Sequence, residues 1–321
     1  MKTQDKKALK FLWAAIPLLV LLLIFHNSMY PLRQSDLQSG AVLYALNRYF
    51  SDHGIHVALT QFEVRKLAHF IEYFIFGFLF TVAIKTIRKR LPDSFSFELF
   101  FFLAFPVVDE AIQLRFPGRN SSVRDVLIDF VGCVIGMEIC RIVCRNSKVG
   151  ISTNKITVKD RTKQRIFTAI TVLFVLFIFH NSMYPGQQSS AQSRYVMNLL
   201  NRMLAALQSP IVLSEHFVRK AGHFTEYFAF GILLLITVRS YRKPVCESVF
   251  AGMFFLLFVP VNDEFIQLFT PKRGSSVLDV LLDFGGGMAG MAVTFLVRNR
   301  IRLHGSRSFP IRKQQPKKRP K

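Results

Sequence analysis

Two groups of side chains with the capacity for chemistry stand out in this chain. Arg65, His69 and Glu72 are separated by four and then three residues, so on a helix they share one face. The imidazole is a candidate base or nucleophile, and the carboxylate is a candidate general acid or base. Similar side chains follow further along the chain: Asp109, Glu110, Gln113, Arg119, Ser122 and Asp125.

These residues divide into two proposed roles. Groups that exchange protons form a catalytic set, and groups that hydrogen-bond an anion, such as a guanidinium on a phosphate, form a substrate-binding set. The candidate catalytic residues are His69, Glu72, Asp109, Glu110 and Asp125. The candidate substrate-binding residues are Arg65, Gln113, Arg119 and Ser122. No hydrolase motif such as G-x-S-x-G accompanies them, so the sequence leaves open whether the chain is an enzyme.

Each of these side chains has an equivalent later in the chain. The run Phe25–Pro31 returns as Phe179–Pro185, at an offset of 154 residues, and no gap is needed to align the two copies. Other stretches have drifted, since 32–59 shares little with 186–213. The polar residues are therefore retained against a diverged background. The equivalent candidates are catalytic His223, Glu226, Asp263, Glu264 and Asp279, and substrate-binding Arg219, Gln267, Arg273 and Ser276.

Composition indicates what kind of fold positions these side chains. Of 321 residues, 51% are hydrophobic and 34 are phenylalanine, which fits a lipid-facing protein. The net charge of +22 is compatible with nucleic-acid binding or with basic loops beside a membrane. The uncharged runs 11–25 and 166–179 favour the membrane and argue against a nucleic-acid partner. The four cysteines lack zinc-ligand spacing and are predicted to be reduced.

Each copy contains four apolar stretches that approach the length of a membrane span. A backbone in lipid must satisfy its own hydrogen bonds, so we predict an all-α fold with about eight transmembrane helices, arranged as two repeated four-helix units. The first stretch resembles a secretory signal, but its recurrence in mid-chain predicts a retained span. The predicted spans are 11–25, 67–84, 97–114 and 126–143, then 166–179, 221–238, 249–268 and 280–297.

The charges of the connecting segments predict the orientation and the domain limits. Lysine and arginine concentrate in 1–10, 85–98, 141–165, 238–247 and 298–321, so the positive-inside rule predicts cytoplasmic N- and C-termini in a multi-pass protein of the cell membrane. An even number of spans gives both units the same orientation. The predicted domains are a cytoplasmic N-terminus (1–10), a first unit (11–145), a basic cytoplasmic linker (146–164), a second unit (165–297) and a basic, disordered cytoplasmic tail (298–321).

This topology gathers the polar residues at the outer end of each unit. An ionisable side chain at the bilayer centre costs about 2.5–3.5 kcal/mol, so these groups are predicted to face the bundle interior or a water-filled cleft. Gly77, Gly132 and Gly136 are predicted to let helices approach closely. A helical stripe that contains Val42 and Phe50 predicts an interfacial helix between the first two spans.

Three segments, taken in order, resemble the VanZ-like family. They are Arg-Lys-x-x-His-Phe-x-Glu-Tyr-Phe from Arg65, Asp-Glu-x-x-Gln from Asp109, and Pro-x-Arg-x-Ser-Ser-Val-x-Asp-Val-x-x-Asp from Pro117. The resemblance covers 11–143 and 165–297, as two VanZ-like domains in tandem. It implies a small helical membrane domain that is associated with low-level resistance to lipid-bearing glycopeptide antibiotics such as teicoplanin.

Residues and resemblance together favour an outward-facing polar site that binds or acts on an envelope lipid, a cell-wall precursor or a lipid-bearing glycopeptide. The expected partners are membrane lipid and one of these ligands. One alternative is a membrane-embedded enzyme on an envelope substrate. Another is a structural or transport role in which the charges form a packing network, for example Arg119 with Asp109 or Asp125. The carboxylates could also hold a divalent cation as cofactor, and Ser121 and Ser122 are interpreted as helix caps.

Overall fold

Ten α-helices make up the part of the chain that the structure, a computed structural model, describes: residues 3–87, 95–144, 158–241 and 245–307. No strand occurs in these residues, and the all-α prediction is confirmed. The first repeat contains α1 (Thr3–Ser28), α2 (Leu32–Asp52), α3 (Gln61–Ile87), α4 (Phe95–Gln113) and α5 (Val123–Val143). The second contains α6 (Val158–Ser182), α7 (Gly186–Ala206), α8 (Glu215–Ser240), α9 (Val245–Gln267) and α10 (Val277–Arg307).

Each repeat combines four bundle helices with one amphipathic helix, α2 or α7. The chain bends by 112° between α1 and α2, at a break that contains Pro31. Proline fixes the backbone just before α2 and cannot continue α1. No residue of α2 is buried, so this helix lies at the edge of its bundle. The predicted helix around Val42 is confirmed, and its location at a membrane surface stays a prediction.

The protein is a multi-pass membrane protein. Five helices in the described residues are long and apolar enough to cross a membrane: Gln61–Ile87, Arg161–Ser182, Glu215–Ser240, Val245–Gln267 and Val277–Arg300. The bent pair Ala15–Ser28 with Leu32–Asp52 would make a sixth. Helix α4 falls short because Glu98, Asp109 and Glu110 lie within its 19 residues. The count of eight spans therefore stays a prediction.

Glycines bring helices into backbone contact within each repeat, as the sequence predicts. An ideal Cβ on Gly136 of α5 would lie only 2.2 Å from the carbonyl oxygen of Phe74 on α3. In the second repeat, a Cβ on Gly290 of α10 would lie 2.0 Å from the carbonyl oxygen of Phe228 on α8. Only glycine permits such an approach, and it sets the register of these two helix pairs.

The two repeats share one apolar core, which α4 and α5 of the first repeat build together with α9 and α10 of the second. The rings of Phe97 and Phe250, near the starts of α4 and α9, are 4.7 Å apart. Arg124 lies over the ring of Phe269 near the opposite end, at 5.8 Å. Contacts at both ends show that the repeats have the same orientation. The buried residues of this core are Phe100, Leu103, Val107, Val123, Val126, Leu257, Val261, Val277 and Val280.

Two helices extend into the segments that were predicted to connect or follow the bundles. Helix α6 begins at Val158, so the end of the predicted linker 146–164 is helical, while 145–157 lies outside the described residues. The tail was predicted to be disordered from residue 298, and this is wrong up to Arg307, where α10 ends. Arginine and leucine in 298–307 favour a helix, and this segment contains no proline that would end it. The tail's remaining residues, 308–321, lie outside the described part.

All four cysteines are free.

Candidate functional site

In each repeat, four helix ends bring the predicted polar residues together. We name this the polar end: α1 and α4 finish there while α3 and α5 begin, and α6, α9, α8 and α10 do the same in the second repeat. Asn27, at the end of α1, donates from Nδ2 to Oε1 of Glu72 on α3 at 3.1 Å. Arg119, in the loop between α4 and α5, donates from Nε to the carbonyl oxygen of Tyr30 at 3.1 Å. These bonds hold the loop and the helix ends in one cluster.

Glu110 fixes the turn from α4 to α5. Its Oε2 accepts the backbone N–H of Ser122 at 2.8 Å, and its Oε1 accepts from Nε2 of Gln113 at 3.1 Å. Ser122 is the residue before α5, but its hydroxyl makes no capping bond. The interpretation of Ser122 as a side-chain cap is therefore wrong, because the carboxylate of Glu110 takes the backbone amide instead. The buried hydroxyl of Ser121 also lacks a partner among the described residues.

Lysine rather than arginine neutralises the first carboxylate of α5. Lys66 on α3 forms an ion pair with Asp125. The packing alternative pairs Arg119 with Asp109 or Asp125, whereas in the structure Arg119 donates to Gln113 Oε1 at 3.4 Å and to the carbonyl oxygen of Tyr30 at 3.1 Å. Arg65 forms its own ion pair with Asp36 of α2, at 3.1 Å. Lys66 was not among the predicted site residues, although its retention as Lys220 was a usable signal.

One turn deeper, His69 faces a carboxylate that the predicted site left out. Nδ1 of His69 lies 3.9 Å from Oδ2 of Asp129 on α5. One ligand atom each of His69, Asp109 and Asp129 falls within a 4.8 Å cluster. Asp109 and Asp129 are completely buried. An imidazole and two carboxylates in this arrangement could share a proton or hold a metal ion.

The second repeat reproduces these contacts. Asn181 donates to Glu226 at 3.0 Å, and Lys220 pairs with Asp279. Glu264 accepts the backbone N–H of Ser276 at 2.8 Å, and Gln267 donates to Asp263 at 3.2 Å. Nδ1 of His223 lies 3.9 Å from Oδ2 of Asp283. Independent reproduction of the same geometry argues that the arrangement belongs to the fold rather than to one copy.

The two copies differ in the bonds of their serine and arginine residues. Ser276 Oγ accepts the backbone N–H of Leu278 at 3.2 Å, so the capping interpretation holds for this serine. Arg273 donates to Oγ of Ser189 at 3.0 Å and to the carbonyl oxygen of Ser182 at 3.4 Å. The α9–α10 loop is therefore tied to both α6 and α7.

A basic cavity opens at the polar end of the second repeat. It has a volume of about 670 Å³ and reaches from α7 to the loop between α9 and α10. Among the described residues that line it, Glu264 and Asp279 are the only ones with a carboxylate, and Asp279 is paired with Lys220. The cationic lining side chains are Arg194, Arg219, Lys220, Lys272 and Arg273.

An apolar groove lies beside this cavity. It occupies about 630 Å³ between α6, α7 and α8, and Phe174, Leu200 and Phe217 are among its walls. A third cavity of about 270 Å³ shares Glu226 with the groove and Arg219 with the basic cavity. The third cavity therefore lies next to both the basic cavity and the apolar groove, and it shares lining residues with each.

A family model described as VanZ/LLP1 matches residues 13–144 and 167–298, which together make up most of the chain. The chain belongs to the VanZ/LLP1 family. The prediction of two VanZ-like domains in tandem is thereby confirmed. No curated protein and no solved structure matches the chain significantly.

The two VanZ/LLP1 domains have diverged where the basic cavity lies. In the first domain, Arg65 is paired with Asp36, and the second domain has Ser190 at the position of Asp36. Arg219, the equivalent of Arg65, therefore lacks that carboxylate. Among the residues that line the cavity, the other charge changes are Arg194 for Gly40, Lys272 for Gly118, and Gln187 for Arg33. The second VanZ/LLP1 domain thus presents more net positive charge at its mouth.

The loop arginine of each VanZ/LLP1 domain is half-buried. Desolvation lowers the pKa of Arg119 below its ordinary value, and the neighbouring charge of Arg65 acts in the same direction. Desolvation also lowers the pKa of Arg273, while Asp263 and Glu264 oppose the shift. A guanidinium starts so far above neutrality that both side chains stay cationic.

Proposed function

We propose that the second VanZ/LLP1 domain binds an amphiphile with an anionic head group, such as an envelope lipid or a lipid-linked cell-wall precursor. The observation that carries the proposal is that the basic cavity and the apolar groove lie side by side, with a smaller cavity that shares residues with both. A ligand that satisfies both chambers must combine negative charge with a hydrocarbon chain. Free sugars and soluble peptides meet only one of these requirements.

The charge of the cavity supports an anionic head group. With Lys220 paired to Asp279, the cations Arg194, Arg219 and Lys272 still face the cavity. Guanidinium groups bind phosphate through two parallel hydrogen bonds, and these charge-assisted bonds are roughly twice as strong as neutral ones. The replacement of Asp36 by Ser190 removes a competing carboxylate from this mouth.

The groove supports a hydrocarbon chain. Phe174, Phe177, Val196, Leu200 and Phe217 form an apolar wall between α6, α7 and α8. Burial of a methylene group contributes about 0.8 kcal/mol, so a chain of several carbons would stabilise binding substantially. The groove lies beside rather than inside the bundle core, which suits entry from lipid.

The proposal extends to orientation and to resistance. The basic segments of the chain favour cytoplasmic termini, and with this orientation the polar end would face outward from the cell membrane. Lipid-bearing glycopeptides such as teicoplanin have the same combination of polar body and acyl chain. We therefore include protection against such antibiotics in the proposed function, either through direct binding or through the lipid to which they are drawn.

Two arginines on α7 provide a matched test. Arg194 lines the basic cavity, while Arg202 is exposed on the same helix and is not part of any of the three cavities. Short-chain phosphatidylglycerol is titrated into the protein in neutral detergent, with phosphatidylcholine of equal chain length as reference, and bound lipid is counted by native mass spectrometry. We expect R194Q to weaken phosphatidylglycerol binding about three- to ten-fold and R202Q to leave it unchanged.

Two results would contradict this function. One is equal binding of the two lipids by the wild-type protein. The other is equal binding of phosphatidylglycerol by the R194Q and R202Q variants. In cells, the wild-type protein is expected to raise the inhibitory concentration of teicoplanin, and the R194Q/R219Q variant, at equal membrane level, to lower it again. Full resistance in the R194Q/R219Q variant would show that resistance does not depend on the basic cavity.

A further inference from the structure

Three side chains from three different helices converge at one buried point in each domain. We propose that each domain binds a divalent transition-metal ion, Zn²⁺ or Mn²⁺. In the first domain the ligands are His69 of α3, Asp109 of α4 and Asp129 of α5. In the second they are His223 of α8, Asp263 of α9 and Asp283 of α10.

The spacing of the ligand atoms suits one ion. In each trio, one nitrogen and two carboxylate oxygens lie within 4.8 Å of one another. Divalent ions hold such atoms at about 2.0–2.4 Å, so two ligands of one ion are separated by at most about 4–4.8 Å. The distance of 3.9 Å between His69 Nδ1 and Asp129 Oδ2 is too long for a hydrogen bond and fits this range.

The burial of Asp129 is the second observation. The side chain is 0% exposed, and neither of its oxygens has a hydrogen-bond partner among the described residues. Asp283 is likewise 0% exposed, and the part of the chain that the structure describes offers neither of its oxygens a hydrogen-bond partner. An uncompensated buried carboxylate costs several kcal/mol, so such a group needs a cation or a proton.

In the first domain, the two cationic side chains nearest this trio are engaged elsewhere. Lys66 forms its ion pair with Asp125 at the mouth, and Arg119 bonds Tyr30 and Gln113. Among the described residues, Asp109 is compensated only by neutral groups, since Gln113 Nε2 donates to its Oδ2 at 3.4 Å and the hydroxyl of Ser28 lies beside it. A bound ion would compensate both carboxylates at once, which a single proton cannot do.

The chemistry of the donors selects the ion. One imidazole nitrogen with two carboxylate oxygens suits Zn²⁺ or Mn²⁺ better than Mg²⁺ or Ca²⁺, which take oxygen ligands throughout. Three protein ligands leave at least one position open, as in catalytic rather than structural metal sites. His223 lines the basic cavity while Asp263 and Asp283 lie beneath it. If the proposed function holds, the anionic head group is the natural occupant of that open position.

Metal analysis of the purified protein tests the proposal directly. After dialysis against micromolar Zn²⁺ or Mn²⁺ and removal of free ion, elemental analysis of the wild-type protein should give about two ions per chain. The D129N and D283N variants should each lose one ion, and D129N/D283N should lose both. The matched control is E138Q, which changes an exposed carboxylate on the same helix α5 that belongs to neither trio, and it should keep both ions.

A thermal readout covers variants that fold poorly. Either ion should raise the melting temperature of the wild-type protein but not of D129N/D283N, since only a bound ion stabilises the folded state. The H69Q/H223Q variant offers a second route to the same loss. A wild-type protein without bound metal or thermal response would overturn the proposal, and so would D129N/D283N with wild-type metal content. The R194Q variant should keep its metal, so failure of lipid binding and failure of metal binding are separate results.

Discussion

Substitution of Gly290 by alanine is expected to force α8 and α10 apart. An ideal Cβ at this position would lie 2.0 Å from the carbonyl oxygen of Phe228 and 3.1 Å from the backbone nitrogen of Ile232. Both atoms belong to the backbone, so no rotamer change relieves the clash. The two helices must therefore separate locally by roughly 1 Å. Asp283 and His223 lie on these two helices and would be displaced with them.

The expected cost follows from two opposing effects. Overpacking of a tight contact costs about 1–3 kcal/mol, and the contact here has no flexible partner, which favours the upper half of that range. Alanine in place of glycine within a helix raises the free energy of unfolding by about 0.5–1 kcal/mol, because its backbone loses less conformational entropy on folding. The net loss of about 1–2 kcal/mol should lower the melting temperature by roughly 2–6 °C, measured by differential scanning fluorimetry in detergent.

Gly285 supplies the control on the same helix. It is exposed, and an added Cβ would meet nothing within 4 Å. The G285A variant is therefore expected to melt at or slightly above the wild-type temperature, because only the helix-propensity gain remains. If G290A melts as high as G285A, the close contact between α8 and α10 does not limit packing and the reasoning fails.

Two further substitutions test the hydrogen bonds of the second domain. Loss of the Glu264 carboxylate in E264A leaves the backbone N–H of Ser276 without its 2.8 Å acceptor, so we expect a loss of about 1–3 kcal/mol, which E264Q largely restores because its amide oxygen still accepts. Equal melting of E264A and E264Q would contradict this role. The hydroxyls of Thr171 and Thr237 are 2.7 Å apart between α6 and α8, so a double-mutant cycle with T171V and T237V should give a coupling of about 0.6 kcal/mol. Strict additivity in that cycle would contradict a stabilising bond.

The sequence alone predicts where the site lies and much of its content. Helical spacing and the repeat offset pick out residues that the structure does gather at one end, including His69 with Asp109 and Asn27 with Glu72. Those predictions succeed because helix periodicity fixes which side chains share a face, and each face must be buried from lipid.

Other features depend on how the helices pack. Asp125 and Asp129 share a face of α5, so periodicity cannot tell which of them meets the imidazole of His69. Glycine contacts such as that of Gly136 set the register of α5 against α3. In this register Asp125 forms an ion pair with Lys66, and Asp129 lies beside His69. The predicted site consequently contained Asp125 and omitted Asp129.

The basic cavity also escaped prediction. Arg194 and Lys272 lie on either side of α8 in the sequence and meet only after α7 folds back against the bundle. Neither residue is retained between the two copies, so a search for shared polar positions passes over them. A search for charges that differ between the two copies would have found Arg194 and Lys272.

The shared core of α4 and α9 has a consequence for proteins that carry one such domain. In this chain the apolar face that contains Leu103 and Val107 packs against Leu257 and Val261 of the other repeat. A lone domain would leave that face without this protein contact. Lipid chains are as apolar as these side chains, so such a domain could leave that face to the bilayer or pack it against a twin by close shape complementarity. In the tandem chain the two faces are held together in one polypeptide, and the fusion releases the halves from symmetry. Each half can then mutate separately, as the unequal charges of the two mouths illustrate.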